Sequence, residues 1–176
     1  MQAQLESCQQ LLSGFDCLLL STVTKEGEPL ASFAPFVQYR HCFYIFVSDL
    51  AQHTKNMRDI PKASVMFIQS EQSARNLYAR ERAVIQVDVA AVSDEEIKEA
   101  VFQLMLERHG KTVDLLRTLD DFKMLELKPN KARYVVGFGK AYDWDIEANE
   151  MHHVSAQVLQ SKNSQKETNV ADKQEQ

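Results

Sequence analysis

Two apolar runs, H-C-F-Y-I-F-V-S (His41 to Ser48) and A-S-V-M-F-I-Q (Ala63 to Gln69), flank a polar stretch, D-L-A-Q-H-T-K-N-M-R-D-I-P-K. Both runs are rich in β-branched and aromatic residues and have the length of one buried strand. The stretch between them predicts a short helix that starts near His53, Lys55 and Asn56 and ends before Pro61. A strand that feeds a helix start leaves backbone N–H groups pointing outward. With the Ser48 hydroxyl and the Lys55 cation beside it, that step predicts a site for the acidic group of a small molecule.

The remaining chain supplies more strands. Residues 2–13 place Leu5, Cys8, Leu11 and Leu12 at helical spacing, and Gly14 closes that helix. Cys17 to Thr24 reads as a strand, K-E-G-E as a hairpin turn, and Pro29 to Gln38 as a second strand. Pro35 inside that second strand implies an edge or a bulge. Tyr39 to His41 turns the chain into the first of the opening runs. After a polar stretch from Ser70 to Glu81, with a helical turn or an irregular edge expected over Ala74 to Arg80, Arg82 to Val92 reads as a strand. Ser93-Asp94-Glu95-Glu96 then caps a helix whose apolar face is Ile97, Val101, Leu104 and Met105, and which Gly110 stops. A short helix over Thr112 to Leu119 follows. Phe122 to Leu127 alternates as a half-buried strand, K-P-N-K reads as a turn, and Ala132 to Trp144 reads as a long last strand. Gly137 and Gly139 inside it call for a bulge, a bend or a close approach. From Ser155 onward the composition predicts a disordered tail. Six or seven antiparallel strands with three or four helices fit a closed barrel decorated by helices.

Composition narrows the classes. A chain of 176 residues suits one domain with a tail. A formal net charge of −5 argues against general nucleic-acid binding, and the absence of a long apolar run argues against a membrane span. The start of the chain lacks the pattern of a signal peptide. The three cysteines, Cys8, Cys17 and Cys42, form no C-x-x-C and read as reduced thiols of a cytoplasmic protein, with Cys17 and Cys42 as small core residues.

A-S-F-A-P-F-V, F-V-S-D-L-A-Q-H-T-K-N, A-S-V-M-F-I, A-R-E-R-A, L-D-D-F-K-M-L-E-L and V-V-G-F-G-K-A-Y, spread over Cys17 to Tyr142, carry a resemblance. Together they resemble the haem-utilisation proteins of the HugZ/HutZ type, within the pyridoxamine 5′-phosphate oxidase-like split-barrel superfamily. The resemblance implies an α+β, mainly β chain: an antiparallel six-stranded split β-barrel with peripheral helices, homodimeric, with ligand sites built by two subunits. It implies a helix over residues 1–14 packing on the barrel, the barrel over 15–146, and a C-terminal segment over 147–176 that carries the candidate haem ligand and then the tail.

In flavin-binding relatives the matching loop holds the FMN phosphate through a hydroxyl and a cation. Ser48 and Lys55 match those roles, while His53 stands where a serine is usual. In the haem branch, a histidine of the C-terminal segment holds the iron, near an acid of the other subunit. The candidates here are His152 and His153, since haem iron commonly takes an imidazole. The bland alternative is two solvated histidines at the head of a tail. Asp121 is the candidate acid, with Asp120 and Asp114 as alternatives, because a ligand imidazole gains basicity by donating to a carboxylate. Arg80 and Arg82 could pair with propionates or a phosphate, or simply form surface ion pairs. The expected function is haem binding with oxidative degradation and iron release, served by an external electron donor. The alternatives are an FMN-dependent oxidoreductase and a non-catalytic haem store or carrier.

Overall fold

The structure, a computed structural model, describes residues 2–154. The strands are β1 (Cys17–Val23), β2 (Pro29–Tyr39), β3 (Cys42–Ser48), β4 (Lys62–Ile68), β5 (Arg82–Ala91), β6 (Phe122–Gly137), β7 (Lys140–Asp145) and β8 (Glu150–His153). The helices are α1 (Gln2–Ser13), α2 (Gln52–Asp59), α3 (Glu95–His109) and α4 (Thr112–Arg117). All pairings are antiparallel, in the order β3-β2-β1-β4-β5-β6-β7-β8, and β3 pairs back onto β6. That last pairing closes six strands into the expected barrel and leaves β7 and β8 as a ribbon running off β6.

Alternation fills the barrel. Leu18, Leu20, Phe36, Phe43, Ile45, Val65, Phe67 and Ile85 point inward and are buried. Phe67 sits among Phe15, Phe36 and Phe43 with ring centroids 5.3–5.8 Å away. Leu5, Cys8 and Leu12 of α1 join that core and close one end. A second core lies outside the barrel wall, where Val101, Phe102 and Met105 of α3 pack on Val37, Tyr44 and Met124. Asp94 caps α3 by accepting from the N–H groups of Glu96 (2.9 Å) and Ile97 (3.1 Å). Gly110, at φ 75°, ends it. The β2–β3 turn uses Arg40 and His41 at positive φ, the geometry of a two-residue hairpin.

The barrel splits at Pro35. Residues 29–35 of β2 pair only with β1, and pairing with β3 begins at Phe36↔Ile45. A proline, which has no N–H to donate, occupies the position at which the strand changes partner.

Several expectations are corrected. K-P-N-K is no turn: β6 runs through it, with a register shift opposite Gln86/Val87 that takes up the proline, and Asn130 donates to Asp88 at 2.8 Å. The expected single strand Ala132 to Trp144 is instead a hairpin of β6 and β7, and the chain reverses at Gly137-Phe138-Gly139. Residues 150–153 form β8, paired to β7 across the boundary drawn at 146. Cys17 is exposed and Cys42 partly so, whereas Cys8 is fully buried. The helical turn expected within Ala74 to Arg80 is present, as a single 3-10 turn at Leu77–Ala79. The tail expected from Ser155 lies outside the described residues.

Candidate functional site

The β3-to-α2 step places the first nominated residues. Ser48 ends β3 opposite Phe122 at the start of β6. Its hydroxyl donates to the Asp121 carboxylate and accepts from the Leu50 N–H at 3.0 Å, while the Asp49 N–H donates to the Asp121 carbonyl at 2.7 Å. Two residues nominated for separate roles are therefore locked together. α2 begins after Ala51 without a side-chain cap. On it, Lys55 is exposed and His53 is half-buried, with a buried Nε2 that has no protein partner. Burial holds the His53 imidazole below its ordinary pKa, so the ring is biased to the neutral form. A neutral imidazole offers a hydrogen bond rather than a charge to an anion.

Arg80 and Arg82 sit at the other end of β5. Arg80 donates through Nε to the Gln69 carbonyl at 2.7 Å, again through Nη2 to the same oxygen, and through Nη1 to Glu71 at 3.3 Å. Its guanidinium clasps the Ser70–Glu81 loop. Arg82 donates to the Arg80 carbonyl at 3.0 Å and lines a surface groove of about 480 Å³ with Val84, Lys131, Arg133 and Asp143.

His152 and His153 lie on β8, where successive side chains take opposite faces. His153 lies on the same side of β8 as Met151, which is buried in the core, but is itself exposed, and its ring meets the Tyr142 ring edge-on at 5.2 Å. Its Nε2 is 3.2 Å from the Gly139 carbonyl. His152 takes the outer face, exposed, 3.9 Å from Glu150.

Cross-strand register joins His152 to the rest of that face. His152 lies opposite Asp143, Asp143 opposite Arg133, Arg133 opposite Val84, Val84 opposite Met66, Met66 opposite Leu19, and Leu19 opposite Phe33. Directly opposed residues share a face. One row thus runs from an imidazole, through an Asp143–Arg133 ion pair of 2.8 Å, to an apolar patch whose Leu19 and Phe33 are 44% and 64% exposed. Arg82 lies beside that row, opposite Val135 and Ile68. Asp121 does not reach it: Phe122 and Arg133 are separated by roughly 35 Å of strand contour at about 3.3 Å per residue. Arg133 and Asp143 were missed in the sequence. The two-residue alternation from Lys131 through Arg133 to Val135 carried the signal, but K-P-N-K, taken as a turn, hid the register.

The profile of the pyridoxamine 5′-phosphate oxidase family matches residues 5–136. The chain belongs to this family. Within it, the chain is 37% identical over 126 residues to heme oxygenase HutZ of Vibrio cholerae, covering 71% of this chain and 72% of that protein. The solved structure of HutZ, described as the heme storage protein from Vibrio cholerae, superposes with a TM-score of 0.66 at 32% identity, over 70% of this chain and 88% of that one. Campylobacter jejuni ChuZ superposes with a TM-score of 0.80 at 26% identity, over 89% of this chain and 64% of that one. A non-canonical chloroplastic heme oxygenase of Arabidopsis thaliana is 29% identical over 87% of this chain, which spans 46% of the plant protein. No helix among the described residues is long and apolar enough to cross a membrane.

Proposed function

We propose that this chain binds haem on the outer sheet face and degrades it oxidatively, releasing iron. The observation that carries the reading is the cross-strand row that aligns His152 with Arg133 and Val84, beside Arg82 and Val135. A porphyrin needs these elements together: an imidazole for iron, cations for propionates and an apolar surface for the ring. The two relatives named as heme oxygenases support it.

In this reading His152 holds the iron through an imidazole nitrogen. Arg82 and Lys131 meet the propionates, with Arg133 held in place by Asp143. His153, on the opposite side of β8, stacks edge-on against Tyr142. A bound haem supplies the oxygen chemistry itself, and an external donor supplies the electrons. The acid that would orient the His152 imidazole is Asp121 of a second copy, because the contour of β6 separates the two within one chain. The exposed apolar patch around Phe33 and Leu19 is the surface for that homodimer.

Haem titration followed by the Soret band is the test. His152→Ala should lose the band at one equivalent, and His153→Ala should keep it. Full retention by His152→Ala would end the ligand assignment. Ascorbate and oxygen should then bleach the band with iron captured by a chelator; a stable band would select the storage reading instead. The FMN alternative would draw on Ser48, Lys55 and Arg82. It is weakened by the neutral bias of His53 and by the Ser48 hydroxyl already donating to Asp121. Tight yellow FMN with no haem uptake would reverse that preference.

A further inference from the structure

One cavity among the described residues contains none of the residues assigned to haem. It is a pocket of about 560 Å³ between α2, the start of α3, the end of β5 and the start of β6. That volume is typical of a small-molecule site. Its walls are apolar, with Phe46, Met57, Phe122 and Met124 among them. Three cations, Arg58, Lys98 and Lys123, stand around it against one acid, Asp49. Lys98 is paired with Glu95 at 3.1 Å, and Lys123 donates to the Asp120 carbonyl at 2.7 Å. Arg58 makes no ion pair among the described residues.

A lone arginine fork matches one carboxylate, while Asp49 disfavours a dianion. We infer that this pocket is a second ligand site, separate from the haem face, for an amphiphilic monocarboxylate. Its apolar body fills the Phe46–Met124 cavity, and its carboxylate meets Arg58.

Dodecanoate is the probe, followed by isothermal titration calorimetry on the full chain with and without one equivalent of haem. The site predicts one dodecanoate per chain with unchanged affinity in the presence of haem. Arg58→Gln should weaken binding about tenfold, in line with a charged hydrogen bond. Ala90→Phe, which fills the mouth from an exposed lining position, should abolish it while leaving haem uptake intact. Dodecan-1-ol, with the same chain and no charge, should bind more weakly than the acid. No uptake by the native chain, displacement by haem, indifference to Ala90→Phe, or equal binding of the alcohol would each overturn the assignment.

Discussion

Raising the pH tests the packing of three buried acids at once. Tyr134 and Tyr44 are 0% and 1% exposed, and Cys8 is 0% exposed. The Tyr134 hydroxyl donates to Glu81, and the Tyr44 hydroxyl donates to Glu126 at 2.7 Å. Burial first, and the neighbouring carboxylate second, hold both phenols above their ordinary value of 10.0. Burial, with the Glu81 charge behind it, pushes the Cys8 thiol from 9.0 up to about 12. The unfolded chain therefore loses these protons first. Above pH 9 it binds fewer protons than the folded chain, so stability must fall as pH rises. By pH 11 the loss is about 2.7 kcal/mol from Cys8 and about 1.4 kcal/mol from each tyrosine, at about 1.36 kcal/mol per group per pH unit. The total of roughly 5.5 kcal/mol is as large as the whole stability of many domains. Urea unfolding at pH 8, 9.5 and 10.5, followed by circular dichroism, measures it. Tyrosine absorbance at 295 nm should show two of the five tyrosines ionising only together with unfolding. Tyr134→Phe should flatten the alkaline slope by one proton. A stability independent of pH up to 11, or five tyrosines that titrate while the fold persists, would refute the reasoning.

Two further outcomes are expected. The depressed His53 imidazole favours the neutral ring in the fold. Its contribution is present above the ordinary 6.5 and is lost as pH falls below it, so His53→Gln should flatten the acid limb of stability between pH 6.5 and 5. Asp94→Ala removes the acceptor for two N–H groups at the start of α3 and should cost about 1 kcal/mol, read as a lowered thermal midpoint.

The barrel was legible because its strands announce themselves by β-branched and aromatic runs and by short connections, as in C-F-Y-I-F-V-S and A-S-V-M-F-I. The Asp94 cap and the Gly110 stop were equally local. What misled was tertiary. Pro129 and Asn130 have turn chemistry, but ten residues of β5 pair across them and carry the strand through. Gly137 and Gly139 bend the chain because the pairing partner of β6 is the residue run that follows them. The site suffered most from this. His152 and Arg133 become neighbours in one row only through the β6–β7–β8 register, which no local pattern encodes. The Ser48–Asp121 bond joins residues 73 apart in sequence, a closure that depends on β3 meeting β6.

The ribbon that carries His152 also decides how this protein meets copies of itself in concentrated solution. β8 is the last strand of the sheet among the described residues, and an edge strand offers unpaired N–H and C=O groups to any passing chain. Here the edge has four residues, and Glu150, His152 and His153 are exposed on it. Short length and polar side chains blunt such edges. Replacing both histidines with large apolar residues would therefore do more than remove an imidazole. It would leave a hydrophobic edge, and the expected product is insoluble protein rather than a soluble chain that fails to take up haem.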